Sequence, residues 1–202
     1  VQTNGSTRFE NGSAADLADN IKVEAEGHTF SGAKLIAEKI EFKRTRVILT
    51  GTATVAGTIT GAGTFQILGR TVQVTSLTDF SQTVGGVSDQ ELVEVRGYID
   101  TAGNIVAERL DDTPSGGNKD TIQARVTNKV GNILTFSLGI KADLTTAAQF
   151  EDANGQPIPT LAAFLAAVTP SAAPPGGTLV KVRGTFNAGI NTIAAEEAEL
   201  ED

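Results

Sequence analysis

The chain has 202 residues, a net charge of −8 and no Cys, Met or Trp. The absence of cysteine excludes disulfides, thiolate nucleophiles and zinc–thiolate sites. The acidic balance disfavours nucleic-acid binding, which depends on Lys/Arg clusters, and the lack of 18 consecutive apolar residues predicts no transmembrane segment.

One sequence pattern occurs three times. Each copy has a strand ending in phenylalanine, a strand of V-x-V type closed by glycine, a short turn, and an apolar run ending in Ala-Glu. The glycine-closed strands are 22–27, 91–97 and 179–184. An internal repeat indicates tandem modules, and we place them at 1–44, 45–115 and 116–202.

The first repeat is expected to be partial. Val1-Gln2 aligns with Val72-Gln73, so the chain enters at the third strand of the pattern, and the hairpin equivalent to about 55–68 is missing. A sheet without these strands exposes unpaired backbone groups and an apolar face. We therefore predict an inter-subunit edge, completed by another subunit, whose residues are Val1, Phe9, Ile21, Val23 and Ala25. The alternative is that the chain is an excerpt whose upstream strands are absent.

The basic stretch 39–46 is interpreted as a strand end and a linker.

The second repeat has the clearest strand pattern. Its alternation at Val55, Gly57 and Ile59 predicts the first of five short strands, and the turn 68–70 separates the second from the third. Five short strands with no helix favour a small antiparallel barrel. In all three repeats the V-x-V positions should point into the core, and Glu24, Glu94 and Lys181 should point out. The inward positions are Val23, Ala25, Val93, Val95, Val180 and Val182.

The third repeat contains an insertion before its V-x-V strand. Apolar residues at i, i+3, i+4 and i+7 predict an amphipathic helix near 158–168, and these residues are Leu161, Phe164, Leu165 and Val168. In one interpretation the helix covers an open end of the barrel. In the other it is a partner-facing element, because its apolar stripe is rich in alanine and the helix occurs in only one repeat.

The order of these motifs resembles the DUF5666 family over nearly the whole chain. The strongest matches are 93–97 with 103–107, and 180–184 with 193–195. The resemblance implies an all-β fold of tandem small antiparallel OB-like β-barrels, one partial and two complete, with one short inserted helix. It also implies an exported bacterial protein, located outside the cell, on its surface or in the periplasm. The matching motifs are packing signatures and include no catalytic residues.

Groups that support catalysis are almost absent. The single histidine, His28, lies in a turn, and no G-x-S-x-G elbow accompanies it. Acidic pairs occur, but without the loop spacing of a calcium site. We therefore expect no enzyme, no catalytic residue, no metal and no cofactor. Four aromatic residues are candidates for an exposed ligand-binding face: Phe65, Tyr98, Phe136 and Phe186.

These features predict a non-catalytic extracellular structural protein. We expect it to self-associate into a homo-oligomer or filament by strand addition between subunits. The alternative is a carbohydrate- or protein-binding module of a bacterial envelope lipoprotein, with a glycan or protein ligand. A row of exposed aromatic residues would favour the alternative, and the sequence has no such regular row.

Overall fold

The computed structural model describes residues 1–10, 13–17, 23–32, 34–42, 46–83, 85–100, 102–113, 119–173 and 176–201. The chain forms two compact units, Val1–Arg44 and Thr45–Asp202. Strands dominate both units, and the described residues contain one short α-helix. The predicted all-β fold class is therefore confirmed.

The first unit contains five short strands and a 3-10 helix. The strands are β1 (Arg8–Glu10), β2 (Val23–Glu26), β3 (Thr29–Ser31), β4 (Lys34–Ile36) and β5 (Lys39–Phe42), and the 3-10 helix is Ala14–Asp16. Three strands form a sheet in the order β1-β5-β2, with β1 parallel and β2 antiparallel to β5, while β3 and β4 form a hairpin. Buried Ala37, Ile40 and Phe42 form a small core of this unit.

The second unit contains the second and third repeats. The strands of the second repeat are β6 (Arg46–Thr52), β7 (Thr58–Ile59), β8 (Gly63–Ile67), β9 (Arg70–Val74), β10 (Asp79–Gln82), β11 (Val87–Ser88), β12 (Leu92–Ile99) and β13 (Ile105–Asp112). Those of the third repeat are β14 (Asp120–Val130), β15 (Ile133–Phe136), β16 (Lys141–Asp143), β17 (Gln149–Glu151), β18 (Leu179–Asn187) and β19 (Thr192–Glu201), with helix α1 (Leu161–Ala167) between β17 and β18.

Strand pairing closes into a ring in each of these repeats. In the second repeat the pairs run β6–β12–β13–β9–β8, and Gln66 of β8 pairs with Thr54, just after β6. In the third repeat the ring is β14–β18–β19–β16–β15, and β15 returns to β14. The phenylalanine-containing strands β10 and β17 lie parallel to β13 and β19.

The two rings share one continuous sheet. Their first strands, β6 and β14, pair antiparallel, with Leu49 opposite Ile122. These two residues are equivalent, because Leu49 is also opposite Val95 and Ile122 is opposite Val182. The second and third repeats are therefore related by a local two-fold axis between β6 and β14, and a single hydrophobic core runs through both. Residues 45–115 and 116–202 thus form one compact unit.

The first strand of the second repeat lies earlier than predicted. We predicted it at 55–60, and we interpreted 39–46 as a strand end and a linker. In the structure β5 covers Lys39–Phe42, and β6 already begins at Arg46 and extends to Thr52. Between 55 and 60 only Thr58–Ile59 is a strand, paired with β11. The alternation at 55–59 misled the prediction because β6 has three consecutive apolar residues, Val47, Ile48 and Leu49, and so lacks a period of two in its sequence.

The V-x-V strands have the predicted inward orientation. Val93, Val95, Val180 and Val182 are fully buried. In the first unit Val23 and Ala25 are only partly buried, while Glu24 between them is exposed. The alternation is the same in all three repeats, but the inward face of β2 is less completely covered.

The motif glycines are required by close backbone packing. A Cβ atom at any of the three glycines would overlap a backbone carbonyl oxygen of the same repeat. Gly27 faces the carbonyl of Ile36, Gly97 that of Val106, and Gly184 that of Ala194. At Gly97 and Gly184 the pairing register also shifts by one residue. A β-bulge at this point allows the next strand to bend.

Candidate functional site

The first unit reproduces part of the pairing scheme of the complete repeats. Gln2 pairs in parallel with Ile36, as Gln73 pairs with Val106, which supports the alignment of Val1-Gln2 with Val72-Gln73. Strand β1 is parallel to β5 as β10 is to β13, and β2 is antiparallel to β5 as β12 is to β13. The equivalents of β6 and β8 do not occur among the described residues of the first unit.

The outer edge of β2 is therefore open among the described residues. In the complete repeats the equivalent edge is paired: β12 pairs with β6, and β18 pairs with β14. Val23 and Ala25 lie on β2 and are partly buried against Ala37, Ile40 and Phe42. Their equivalents in the other repeats are fully buried because β6 or β14 lies beside them, with Leu49 opposite Val95 and Ile122 opposite Val182.

The other predicted edge residues lie elsewhere. Phe9 is on β1, on the opposite side of β5, and its ring packs 6.5 Å from that of Phe42. Val1 is 72% exposed, beside the Gln2–Ile36 pair. Ile21 lies outside the described residues. The structure thus brings Val23 and Ala25 together on one edge and places Phe9 at the other edge of the same sheet.

An ion network crosses the three-stranded sheet on its polar face. The Lys39 Nζ lies 3.0 Å from Glu26, 3.4 Å from Glu10 and 3.8 Å from Glu41. The hydrogen bond to Glu26, together with the field of Glu10, raises the pKa of Lys39 above its ordinary value. This cation joins the carboxylates of β1, β2 and β5, and therefore helps to hold the three strands in register.

The apolar stripe of α1 faces the core of the second unit. Phe164 and Val168 are buried, and Leu161 and Leu165 are partly buried against the same core. The Phe164 ring lies 5.2 Å from that of Phe150. The helix begins at Leu161, capped by the Thr160 side chain, and is shorter than predicted because Val168 already has an extended backbone.

Groups of catalytic or metal-binding type are sparse. The His28 side chain is 88% exposed, and its Nδ1 lies 3.0 Å from Glu38. Within the described ranges no three His, Cys, Asp or Glu side chains are grouped so that they could hold a metal ion. No helix of the described residues has the length and hydropathy needed to cross a membrane. Of the four aromatic candidates, Phe65, Tyr98 and Phe136 are buried, so these three do not form an exposed face.

A cluster of arginines was not identified from the sequence. Arg46, Arg96 and Arg109 line one cleft of about 400 Å³ at the junction of the second and third repeats. They are far apart in the chain, and the pairing of β6 with β12 and of β12 with β13 brings them together. The sequence signal that could have indicated this cluster is the arginine of the V-E-V-R-G motif. The position of Arg46 beside it could be predicted only by identifying β6 as a strand.

Comparison with known proteins identifies the repeats. A family model described as a domain of unknown function, DUF5666, matches residues 1–41 and 52–111, together half of the chain. No curated protein and no solved structure matches the chain. The matched segments lie in the first two repeats, and the resemblance inferred from the motifs is confirmed.

Proposed function

We propose that this chain, which belongs to the DUF5666 family, is a non-catalytic structural protein that assembles by strand addition between copies. The observation that carries this proposal is the open edge of β2. Both equivalent strands, β12 and β18, have an antiparallel neighbour at this edge, whereas β2 has none among the described residues. A strand of a second copy would occupy the place that β6 and β14 occupy in their repeats.

The chemistry of the β2 edge fits a further strand. The Glu26 carbonyl oxygen accepts a hydrogen bond from the Glu38 N–H on the β5 side. Because backbone groups point alternately to the two sides of a strand, the N–H and C=O of Ala25 and Val23 point to the open side. The added strand would pair with these groups and cover Val23 and Ala25, whose apolar side chains are incompletely buried. Strand addition of this kind combines backbone hydrogen bonds with side-chain packing.

The mode of assembly and the compartment follow from different observations. Addition of one surface to a different surface of the next copy produces a filament when the rotation between copies does not close into a ring, and we propose the filament. We assign the protein to the cell exterior, surface or periplasm from the resemblance of its repeat motifs. A non-catalytic role is supported by the exposed position of His28 and by its pairing with a single carboxylate.

The proposal is tested by the mass of the protein in solution as a function of concentration. We expect the wild-type mass to rise above 20.9 kDa with concentration in analytical ultracentrifugation, and electron microscopy to reveal linear assemblies. Ala25→Pro removes the outward N–H without removing a bond to β5, since proline is tolerated at the free side of an edge strand. This variant should stay at 20.9 kDa over the same range.

The matched control is Ala25→Ser, which keeps the N–H and nearly the same volume. It should assemble like the wild type, and both variants should have the wild-type circular dichroism spectrum. A wild-type protein that remains monomeric at all concentrations, or an Ala25→Pro variant that assembles normally, would contradict strand addition at β2. If a strand of the same polypeptide paired with the β2 edge, the wild-type protein would remain monomeric at all concentrations.

A further inference from the structure

An aspartate occupies an inward-facing position of the sheet in the third repeat. Asp120 is the first residue of β14, and it alternates with Ile122 and Ala124, which are fully buried. Because Leu49 is equivalent to Ile122, the residue of the second repeat that corresponds to Asp120 is Val47. Val47 belongs to the buried core. The third repeat therefore has a carboxylate where the second repeat has a core valine.

Two glycines make room for this carboxylate. Asp120 is opposite Gly184 on β18, and extending the β6–β14 register by one residue places it opposite Gly51. A Cβ at Gly51 would lie 3.2 Å from the Asp120 Oδ1. The same Cβ would lie 2.9 Å from Leu68 and 3.3 Å from Ile67, which are core residues of the second repeat. The residues that face Asp120 from β6, β18 and the end of β8 are thus all uncharged.

A single backbone group holds the Asp120 side chain. The Phe186 N–H of β18 donates to the Asp120 Oδ2 at 2.7 Å. Asp120 forms no ion pair within the described part of the chain. The cations of the neighbouring elements lie elsewhere: Lys119 Nζ is 2.8 Å from Glu196, and the Arg70 guanidinium lies against the turn between β15 and β16. No cation therefore compensates the charge of this carboxylate.

Ionisation of Asp120 is disfavoured in these surroundings. Burial raises the pKa of Asp120 above its ordinary value, and the Phe186 N–H offsets only part of this effect. The folded unit therefore binds a proton at this site more readily than the unfolded chain does. The resulting stability is complete below the unfolded pKa of about 3.9, and it is lost as the pH rises through the folded pKa.

We propose that Asp120 is a pH-sensitive switch at the junction of the second and third repeats, which tightens when the carboxylate is protonated. An ionised carboxylate needs water, which must enter between β14 and the turn that carries Leu68. A protonated carboxyl group is neutral, and Leu68 packs against it without that water. The proposal does not depend on assembly at β2.

The switch opposes the pH response of other carboxylates in the same unit. The pKa values of Asp79, Asp143 and Glu197 lie below their ordinary values. These three groups contribute stability at neutral pH that is lost as the pH falls through their folded pKa values. Asp120 has the opposite sign, so its contribution must be measured as a difference between the wild type and a variant at each pH.

The test compares the full chain with its Asp120→Asn variant, which keeps an oxygen acceptor for the Phe186 N–H but does not ionise. Tyr98 is the single tyrosine and the chain has no tryptophan, so intrinsic fluorescence reports the unfolding of the second unit alone. Urea denaturation is measured from about pH 7 down to about pH 4. We expect the urea midpoint of the variant, relative to that of the wild type, to be highest at neutral pH and to decline on acidification.

The matched control is Asp143→Asn, because Thr145 hydrogen-bonds to Asp143 and holds its pKa below the ordinary value. Its relative midpoint should be lowest at neutral pH and should recover on acidification. In the wild type, the carboxyl carbon NMR signal of Asp120 should titrate above the ordinary aspartate pKa. A relative midpoint of Asp120→Asn that stays constant or rises on acidification would overturn the proposal, as would an Asp120 signal that titrates at or below about pH 3.9.

Discussion

At the scale of single residues, the motif positions require glycine because neighbouring backbone atoms lie too close for a Cβ atom, and not because the φ angle is positive. Gly97 does not have a positive φ, yet a Cβ there would overlap the Val106 carbonyl. Gly61 also lacks a positive φ, but nothing lies within 4 Å of its Cβ position. The two glycines therefore form a matched pair for substitution by alanine.

We expect Gly97→Ala to lower the free energy of unfolding by more than about 2 kcal/mol, because the β12 or β13 backbone must move. Gly61→Ala should change it by less than about 0.5 kcal/mol, the range of substitutions at open positions. Urea denaturation of both variants measures the difference. Equal losses for the two substitutions would show that the Gly97 position is not sterically constrained.

At the scale of secondary-structure elements, helix α1 is part of the core. Phe164 is fully buried and packs on Phe150, while Ala162 on the same helix is exposed. Phe164→Ala should destabilise the protein by about 3–5 kcal/mol through loss of burial and formation of a cavity. Ala162→Gly should cost about 1 kcal/mol from helix propensity alone. If thermal and urea denaturation gave similar losses for both, the helix would not contribute to the core.

The strands show which elements of the fold can be predicted from the local sequence pattern. The turn at 68–70, the V-x-V strands and the helix near 158–168 were predicted correctly in kind, because each has a clear period and clear end signals. Strand β6 was missed, since its residues Val47, Ile48 and Leu49 do not alternate with polar residues. We predicted that Phe9 and Val23 share one inter-subunit edge, but the structure places them at opposite edges of the sheet. The sequence does not reveal that β5 lies between them.

At the scale of the whole molecule, pairing of β6 with β14 makes the second and third repeats interdependent. Thr50 and Thr121 face each other across this pair and are buried. No local feature of the sequence predicts the contact, because each strand is already paired within its own repeat. The arginine cluster at the junction was not predicted for a different reason, because Arg46 lies on β6, the strand that the sequence pattern did not reveal.

This interdependence predicts the behaviour of fragments. Residues 45–202 expressed alone should melt cooperatively at nearly the temperature that this unit has in the full chain, because its core is separate from that of Val1–Arg44. Residues 45–113 expressed alone should lose cooperative unfolding in calorimetry, since β6 would have an exposed edge in place of β14. A cooperative transition of the shorter fragment would mean that the repeat is stable without its partner.

The register of the shared sheet places the two ends of the second unit in one row. Extending the β6–β14 register by two residues puts Arg46 opposite Arg125, which is opposite Leu179, and Leu179 is opposite Glu201. Three strand spacings separate the first and last of these residues, roughly 14 Å along the sheet. A linker of about five residues can span this distance. The unit is therefore suited to circular permutation, with new termini opened at the Gly61 turn, and to insertion as a whole into a surface loop of another protein.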